Sequence, residues 1–244
     1  MTLQEDYDNS GLLVGDPQRE VGRALLCVDI TEAVLDEAIE LGAGIILAHH
    51  PVIFHPLRHI TGGTYIERVV ERAIKNDIAL YAAHTNLDST RGGLSHYLAG
   101  LFSLRQPQVL SLTGEDVGFG IVGELADARP TADFLAEVKT RLGIGALRHS
   151  DIFHPTIRRV AISSGSGSSL IPQAKASGAQ LFLSADFRYN DFLDAGRDVI
   201  IADIGHFESE YCAIDILFDV IRKKMPNFAL HRSVNSINPV NYLI

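Results

Sequence analysis

Cysteine is scarce in this sequence of 244 residues, which contains only Cys27 and Cys212. The two are far apart and outside any Cys-x-x-Cys spacing, which argues against a disulfide framework and against a zinc site made of thiolates. Such sparing use of cysteine is typical of a reducing compartment. We therefore predict a cytoplasmic protein.

Positive charge and long apolar segments are also in short supply. The sequence has 21 lysines and arginines against 30 aspartates and glutamates, for a formal net charge of -9. Binding along a phosphate backbone needs clustered positive charge, so bulk nucleic acid is not an expected partner. The opening residues Met1–Asp6 are acidic, and no segment reaches the roughly 18 apolar residues of a membrane span. No membrane association is expected.

Apolar strands alternate with amphipathic helices along the sequence, which predicts an α/β fold. Thr31 is expected to cap the first helix and Gly42 to end it, between two strands of a β-α-β unit. A loop is expected through Pro107, and a helix capped by Thr131 after it. Strands are predicted over residues 23–28, 44–48, 78–83, 119–125, 160–163, 180–183, 199–202 and 228–230. Helices are predicted over residues 32–41, 65–75, 170–176 and 207–224. One further helix is expected to begin near residue 93, and the helix that Thr131 caps is expected to end at about residue 142.

The later part of the sequence repeats the same order of strand and helix and predicts a second, smaller α/β lobe. We place the first domain at residues 1–106, with residues 227–244 as a segment that can complete it, and the second domain at residues 107–226.

His49 and His50 directly follow the apolar strand 44–48 and precede Pro51. Burying two imidazoles at a strand end costs free energy of hydration unless another group binds them. Because adjacent residues of an extended chain point in opposite directions, two metal ions can take one imidazole each more easily than one ion can take both. The alternative is a capped strand end, with one histidine hydrogen-bonded to a neighbouring carbonyl.

Two further clusters also follow predicted strands. His84 and Asp88 come after the strand 78–83, and His206 and Glu210 come after the strand 199–202. The spacing of four places His206 and Glu210 on one face of a helix, where they can reach a common ion. Asp88 could instead cap the following helix. Glu210 could instead be present because the amino end of a helix favours a carboxylate. Ligands of open α/β sheets bind at the carboxyl ends of strands, where one cleft could collect all three clusters.

The remaining candidates carry weaker signals. The loop Ser163–Ser169 could cradle a phosphate at a helix amino end but lacks the lysine of a P-loop. Gly165-Ser166-Gly167 is too short a match to the nucleophile elbow of a serine hydrolase. Solvated or structural roles are expected for the other histidines, His55, His59, His96, His149, His154 and His231.

Four motifs in the same order resemble those of the GTP cyclohydrolase I type 2 homologue family, the NIF-three-like proteins. They are Glu5–Leu12, Ala48-His49-His50-Pro51, His84–Asp88 and Gly205–Glu210. The resemblance runs nearly end to end and includes Gly165-Ser166-Gly167 and Asn238-Pro239-Val240.

This resemblance implies a metal centre of two divalent ions. His49, His50, Asp88, His206 and Glu210 fall on the five ligand positions of the family, with Glu210 expected to touch both ions and His84 beside them as a catalytic proton carrier. It also implies two related α/β domains with the metals in the cleft between them, and a toroidal homohexamer. Imidazole and carboxylate ligands suit zinc, manganese, iron, cobalt or nickel, so the identity of the metal stays open.

The sequence departs from the family pattern at several positions. Many relatives have glycine in place of Ala185 and histidine in place of Asn190, which implies that a proton carrier is missing here. Members carry an amino-terminal helix before the Asp-Asn-Gly-Leu segment, and this helix is expected to be truncated or absent, which puts hexamer assembly in question. The larger domain inserted in some members is missing.

The resemblance implies a metal-dependent hydrolase of a nucleotide or related small molecule, as the family name indicates. The same ligands would also serve a protein that buffers, delivers or senses metal ions without a substrate. A third alternative is a ring-shaped scaffold for protein partners. A shared fold and site can host different reactions, so the family name alone does not choose between them.

Overall fold

The computed structural model describes residues 3–243 and confirms an α/β fold with two β-sheets. Along the chain, the elements are β1 (Gly11–Val14), β2 (Arg23–Cys27), α1 (Glu32–Leu41), β3 (Ile45–Ala48), α2 (Tyr65–Lys75), β4 (Ala79–Ala82), α3 (Thr85–Asp88), α4 (Leu94–Leu101), β5 (Arg105–Gly114), β6 (Val117–Pro130), α5 (Thr131–Leu142), β7 (Arg148–His149), β8 (Thr156–Ser166), α6 (Ile171–Ala176), β9 (Leu181–Ala185), α7 (Tyr189–Ala195), β10 (Ile200–Asp203), α8 (His206–Glu210), α9 (Cys212–Lys224) and β11 (Ala229–Arg232).

Contacts within the chain divide it into two units. The first comprises Met1–Leu87 and Ala213–Pro239, and the second comprises Asp88–Cys212 and Val240–Ile244. This division differs from the predicted boundary at 106/107, because α4 packs into the core of the second unit through Leu98 and Ala99. Residues 1, 2 and 244, which the predicted domain ranges include, lie outside the described residues.

The first unit holds a five-stranded sheet in the order β1-β4-β3-β2-β11. Strands β4, β3, β2 and β11 are parallel, and β1 pairs antiparallel with β4 at one edge. As predicted, Thr31 accepts a hydrogen bond from the Val34 amide at the start of α1, and Gly42 ends this helix in the left-handed conformation. The apolar faces of α1 and α2 cover one face of the sheet, with Leu25, Ile46 and Leu80 at its centre.

The second unit holds a six-stranded sheet in the order β5-β6-β8-β9-β10-β7. Its three central strands β8, β9 and β10 are parallel, whereas β5, β6 and β7 pair antiparallel with their neighbours. Side chains alternate between the two faces, as the pleat requires. Leu181 and Leu183 of β9 enter a core with α4 and α5, and Phe182 between them enters a second core with α6.

Three local predictions are wrong. The segment through Pro107 is the edge strand β5 rather than a loop. Thr131 is the first residue of α5, preceded by Pro130 as cap, and its hydroxyl donates to the His154 carbonyl instead. The predicted helix 207–224 is interrupted at Tyr211, which separates α8 from α9. The chain returns to the first unit at Ala213, near the start of α9.

Candidate functional site

Three imidazoles cluster at the carboxyl ends of two neighbouring strands in the first unit. Ala48 of β3 pairs with Ala82 of β4, so the residues that follow, His49 and His50 on one strand and His84 on the other, emerge side by side. The ring centroids of His49 and His50 lie 4.9 Å apart, and His84 lies 5.4 and 5.5 Å from them. The sheet therefore brings together the histidines that the sequence predicted at this edge.

The Nδ1 atoms of His49 and His50 are both held by oxygen acceptors. His49 is fully buried, and its Nδ1–H donates to the Ala83 carbonyl at 2.8 Å. Since a carbonyl only accepts hydrogen bonds, it fixes the proton on Nδ1 and leaves Nε2 of the neutral ring as the donor of electrons. The Nδ1 of His50 lies 2.8 Å from Asp29 Oδ1. The expected strand-end hydrogen bond to a carbonyl exists, and it is compatible with ligation through Nε2.

His84 is anchored by Asp8, a carboxylate buried in the first unit. Its Nδ1 lies 2.7 Å from Asp8 Oδ1, while Asp8 Oδ2 accepts hydrogen bonds from the Thr85 and Ser10 hydroxyls. Burial opposes ionisation of Asp8, but these hydrogen bonds hold its pKa well below the ordinary value. Burial lowers the pKa of His84, and the neighbouring rings of His49 and His50 also lower it, against the opposite effect of Asp8. A neutral imidazole with a fixed orientation results.

Asp88 ends the short helix α3 and is partly buried. The next helix, α4, begins after Gly93. Asp88 is therefore not the cap of that helix, and the capping alternative for this carboxylate is excluded.

In the second unit, His206 and Glu210 form the pair that their spacing predicted. His206 Nε2 lies 2.9 Å from Glu210 Oε2, one turn along α8, and His206 Nδ1 lies 2.7 Å from Asp186 Oδ2. Burial opposes protonation of the ring, but Glu210 and then Asp186 raise the pKa of His206 to about 9. Two carboxylates around one imidazole favour positive charge at its Nε2 face, which a proton or a metal ion can supply.

Gly165, at the end of β8, sets the position of Glu210. Its backbone has a φ of +56°, and a Cβ at this position would stand 2.0 Å from Glu210 Oε1. The Gly165 amide donates to Ser209 Oγ at 3.0 Å, and Ser184 Oγ donates to the Gly165 carbonyl at 3.0 Å. Gly165 thus leaves room for the Glu210 carboxylate, a role different from the phosphate cradle considered for Ser163–Ser169.

Each unit presents imidazole or carboxylate groups that can bind a metal ion, at the carboxyl ends of its parallel strands. His49, His50 and Glu210 are side chains that could hold a metal ion, since each offers one ligand atom, and His49 and Glu210 are buried. Sequence reasoning assigned no role to Asp29, Asp186 and the Ala83 carbonyl, which orient these imidazoles. The same rule of strand ends could have placed them at these edges, because they follow β2, β9 and β4, but it could not have paired each of them with its imidazole.

The other histidines lie in simpler surroundings. The Nδ1–H of His149 donates to the carbonyl of the next residue, Ser150, at 2.8 Å on an exposed strand. The rings of His55 and His154 contact the phenylalanines that precede them in the chain. These contacts agree with the structural or solvated roles expected for His55, His149 and His154.

Comparisons with known proteins identify the family. The profile of the Duf34/NIF3 (NGG1p interacting factor 3) family matches residues 1–239. A Clostridium perfringens protein named GTP cyclohydrolase 1 type 2 homolog is 35% identical over 230 residues, which cover 92% of this chain and 87% of that protein. A crystal structure of a Bacillus cereus protein related to NIF3 has a TM-score of 0.91 at 25% identity, covering 99% of this chain and 94% of that one. A Staphylococcus aureus hypothetical protein has a TM-score of 0.89 at 28% identity, covering 98% and 93% of the two chains. The resemblance seen in the four sequence motifs is confirmed, and this chain belongs to the Duf34/NIF3 family.

Proposed function

We propose that this protein holds two divalent metal ions through His49, His50, Asp88, His206 and Glu210, and that it hydrolyses a nucleotide or a related small molecule. The observation that carries the metal assignment is that His49, His50 and Glu210 each offer a ligand atom for a metal ion, and the anchoring of the imidazoles supports it. His49, His50 and His206 each engage an oxygen acceptor through Nδ1, at 2.7 to 2.8 Å. Histidines that bind metals show this pattern, because the anchor fixes the ring and directs Nε2 to the ion.

The chemistry of the donors supports ions of the first transition series. Imidazole nitrogens and carboxylate oxygens suit zinc, manganese, iron, cobalt or nickel. Thiolate ligation has no support, since Cys27 is buried and burial raises the pKa of its thiol well above the ordinary value. The five side chains thus fit the proposed group without a sulfur ligand.

Ions held in this way would supply Lewis acidity and lower the pKa of a water molecule that attacks the substrate. His84 supplies the proton transfer in this proposal. Its lowered pKa keeps the ring neutral near pH 7, so that Nε2 can accept a proton while Asp8 holds Nδ1 in place. Asp8 is a positioning residue for His84.

The nucleotide substrate is supported by the name that the relatives carry, GTP cyclohydrolase 1 type 2 homolog. In a hydrolysis of this kind, water would attack the purine ring of GTP. Assembly into a toroidal homohexamer is likewise a proposal from family resemblance, and light scattering on the purified full chain measures it directly.

The first experiment measures bound metal and turnover together. Wild-type protein purified without added metal should carry about two ions per chain, and His206→Ala should lose metal and turnover while keeping its circular dichroism spectrum. His84→Ala should keep its metal and lose about 10²- to 10⁴-fold in turnover, as expected for removal of a proton carrier. His149→Ala, an exposed histidine of the second unit, is the control and should match the wild type in both measurements.

Other results would refute particular parts of the proposal. Turnover that persists in His206→Ala after its metal is lost would refute a metal-dependent hydrolase. Bound metal that exchanges rapidly with a chelator, together with no turnover of any nucleotide, would favour the second function, a protein that buffers or delivers metal ions. Wild-type protein that binds no divalent ion would refute both.

A further inference from the structure

A pocket of about 580 Å³ opens beside His50 within the first unit. The residues after β2, the residues after β3, Tyr65 of α2 and two residues of the carboxyl-terminal segment line it. Small-molecule sites have volumes of about 300–1,000 Å³, so this pocket can hold a ring system with substituents. Its position next to His50 places any occupant beside a proposed metal ligand.

The charged groups of this pocket are acidic. Asp29 and Glu32 line it, and the described lining residues include no lysine or arginine. Arg68 lies close but is engaged by oxygen atoms of the protein, since its Nε and Nη2 donate to Glu32 Oε1 at 3.0 and 2.7 Å and its Nη1 donates to the Gly62 carbonyl at 3.2 Å. A phosphate group would therefore be repelled here, whereas a neutral ligand with N–H donors could hydrogen-bond to the carboxylates.

Both carboxylates keep part of their surface in contact with solvent. Asp29 uses Oδ1 to hold His50, and its side chain is 44% exposed. Glu32 receives the two Arg68 bonds on Oε1, and its side chain is 39% exposed. Thr31 adds a hydroxyl whose oxygen accepts from the Val34 amide and whose proton can be donated to a ligand.

The other surfaces of the pocket suit a flat ring. Tyr65, the first residue of α2, is 52% exposed beside it, and Ile30, Pro51 and Val52 supply apolar contacts. An aromatic side chain that is open on one side is a stacking platform for a heterocycle. Acidic acceptors next to such a platform suit a nucleobase that has N–H donors on its edge.

The wall formed by the carboxyl-terminal segment is built in advance. Ile237 and Pro239 belong to it, and the segment before them is tied to α1, where Glu37 accepts hydrogen bonds from Ser233 Oγ at 2.6 Å and the Val234 amide at 3.0 Å. Ser236 Oγ in turn accepts from the Val28 amide at 2.9 Å. A ligand would therefore bind without the entropy cost of ordering this wall.

We propose that this pocket binds the heterocyclic base of a nucleoside, with its ring stacked on Tyr65 and its N–H donors directed to the carboxylates of Asp29 and Glu32. Guanine fits this description, because its ring N–H and its amino group lie on one edge and can meet a carboxylate together. The inference rests on the proposed function, which requires a nucleotide beside His50. The phosphates of that nucleotide would lie outside this acidic pocket.

The test uses the full chain, titrated calorimetrically with guanosine after metal removal, with inorganic triphosphate as competitor. Guanosine should bind, and triphosphate should not displace it. Tyr65→Ala should weaken guanosine binding about tenfold, as loss of a stacking contact predicts. Glu32→Gln should weaken it by a similar factor and, since Arg68 loses its carboxylate, should let triphosphate bind more tightly than it does to the wild type.

Matched variants separate this role from general effects on the fold. Tyr189→Ala removes an exposed tyrosine that also begins a helix, and Glu71→Gln neutralises a carboxylate with the same 39% exposure and an ion pair of its own, with Lys75. Both should bind guanosine within about twofold of the wild type. Melting curves of all four variants establish that they are folded.

Each result bears on the pocket or on the reaction separately. Absence of guanosine binding to the wild type, or binding that Tyr65→Ala and Glu32→Gln leave unchanged, would overturn the inference even if the metal-loaded protein hydrolysed GTP. Binding that follows the expected pattern in a protein without turnover would support the pocket and count against the hydrolase.

Discussion

The Glu210 carboxylate is held in place by the absence of a side chain at Gly165. The φ of +56° at Gly165 is one that residues with a Cβ rarely adopt, and the close approach of Glu210 Oε1 leaves no room for a methyl group. Glycine is therefore required here for two separate reasons, one in the backbone and one in the carboxylate that packs against it.

Gly165→Ala should displace Glu210, lower the metal content of the purified protein and reduce its free energy of unfolding. Gly178→Ala is the matched control, because Gly178 has a similar φ of +72° but open space where the added methyl group would lie. The control should lose about 1–2 kcal/mol from backbone strain alone and keep its metal. Urea unfolding and elemental analysis measure both effects. Equal losses of stability with unchanged metal content in the two variants would show that the contact with Glu210 does not position the carboxylate.

At the level of single residues, the rule of strand ends was sufficient to place His49, His50, His84 and His206 on the edges of their sheets. The sequence could not assign their hydrogen-bond partners. Asp186 directly follows β9 and itself adopts the left-handed conformation in which its carboxylate meets His206. Asp8 reaches His84 from a distant part of the chain. Such partners depend on tertiary structure, which local patterns do not encode.

The helix α1 binds the carboxyl-terminal segment of the first unit through one carboxylate. Glu37 accepts from the hydroxyl of Ser233 and the amides of Val234 and Asn235. Burial opposes its ionisation, but these hydrogen bonds lower the pKa of Glu37 below the ordinary value. An ionised Glu37 therefore stabilises the folded segment that forms one wall of the pocket.

Glu37→Gln should reduce the free energy of unfolding by about 1 kcal/mol at pH 7, because an amide presents donors where the carboxylate accepts. A carboxyl group with a lowered folded pKa stabilises the protein above its unfolded pKa, for which the ordinary value is 4.5, and this contribution is lost as the pH falls through the folded pKa. The difference between wild type and variant should thus shrink below about pH 4.5 in urea unfolding series.

The exposed Glu40 on the same helix provides the control. Glu40→Gln should have the same free energy of unfolding as the wild type, both at pH 7 and below about pH 4.5. Hydrogen exchange at the Val234 and Asn235 amides should accelerate in Glu37→Gln alone. A stability difference that stays constant as the pH falls would contradict the assigned role of the carboxylate charge.

The elements themselves were predictable where they are buried. The predicted helix 65–75 matches α2, which has strong apolar periodicity, and the strand 44–48 matches β3, a continuous apolar run, to within one residue. Strand β5 was missed since it is an exposed edge strand that begins Arg105-Gln106-Pro107-Gln108 and lacks an apolar face there. Strand β1 is apolar, but its four residues are too few to define a strand pattern.

At the scale of the whole molecule, the chain leaves the first unit after Leu87 and returns to it at Ala213. Strand β11 then pairs with β2 across more than half of the sequence. Sequence patterns predicted the α/β class and two lobes, but the boundaries depend on which sheet each helix packs against. Among the described residues, no helix is long and apolar enough to cross a membrane.

The proposed ligands come from both units, so metal binding should stabilise the intact chain against unfolding. A ligand at about 100 times its dissociation constant adds about 2.7 kcal/mol, which corresponds to a rise of roughly 5–10 °C in Tm for a chain of this length. Calorimetry of the metal-depleted protein, with and without added zinc or manganese, measures this shift. His149→Ala should show the full shift, whereas His206→Ala should show a much smaller one because it lacks one proposed ligand. A shift in His206→Ala as large as in the wild type would mean that the stabilising ion binds elsewhere on the molecule.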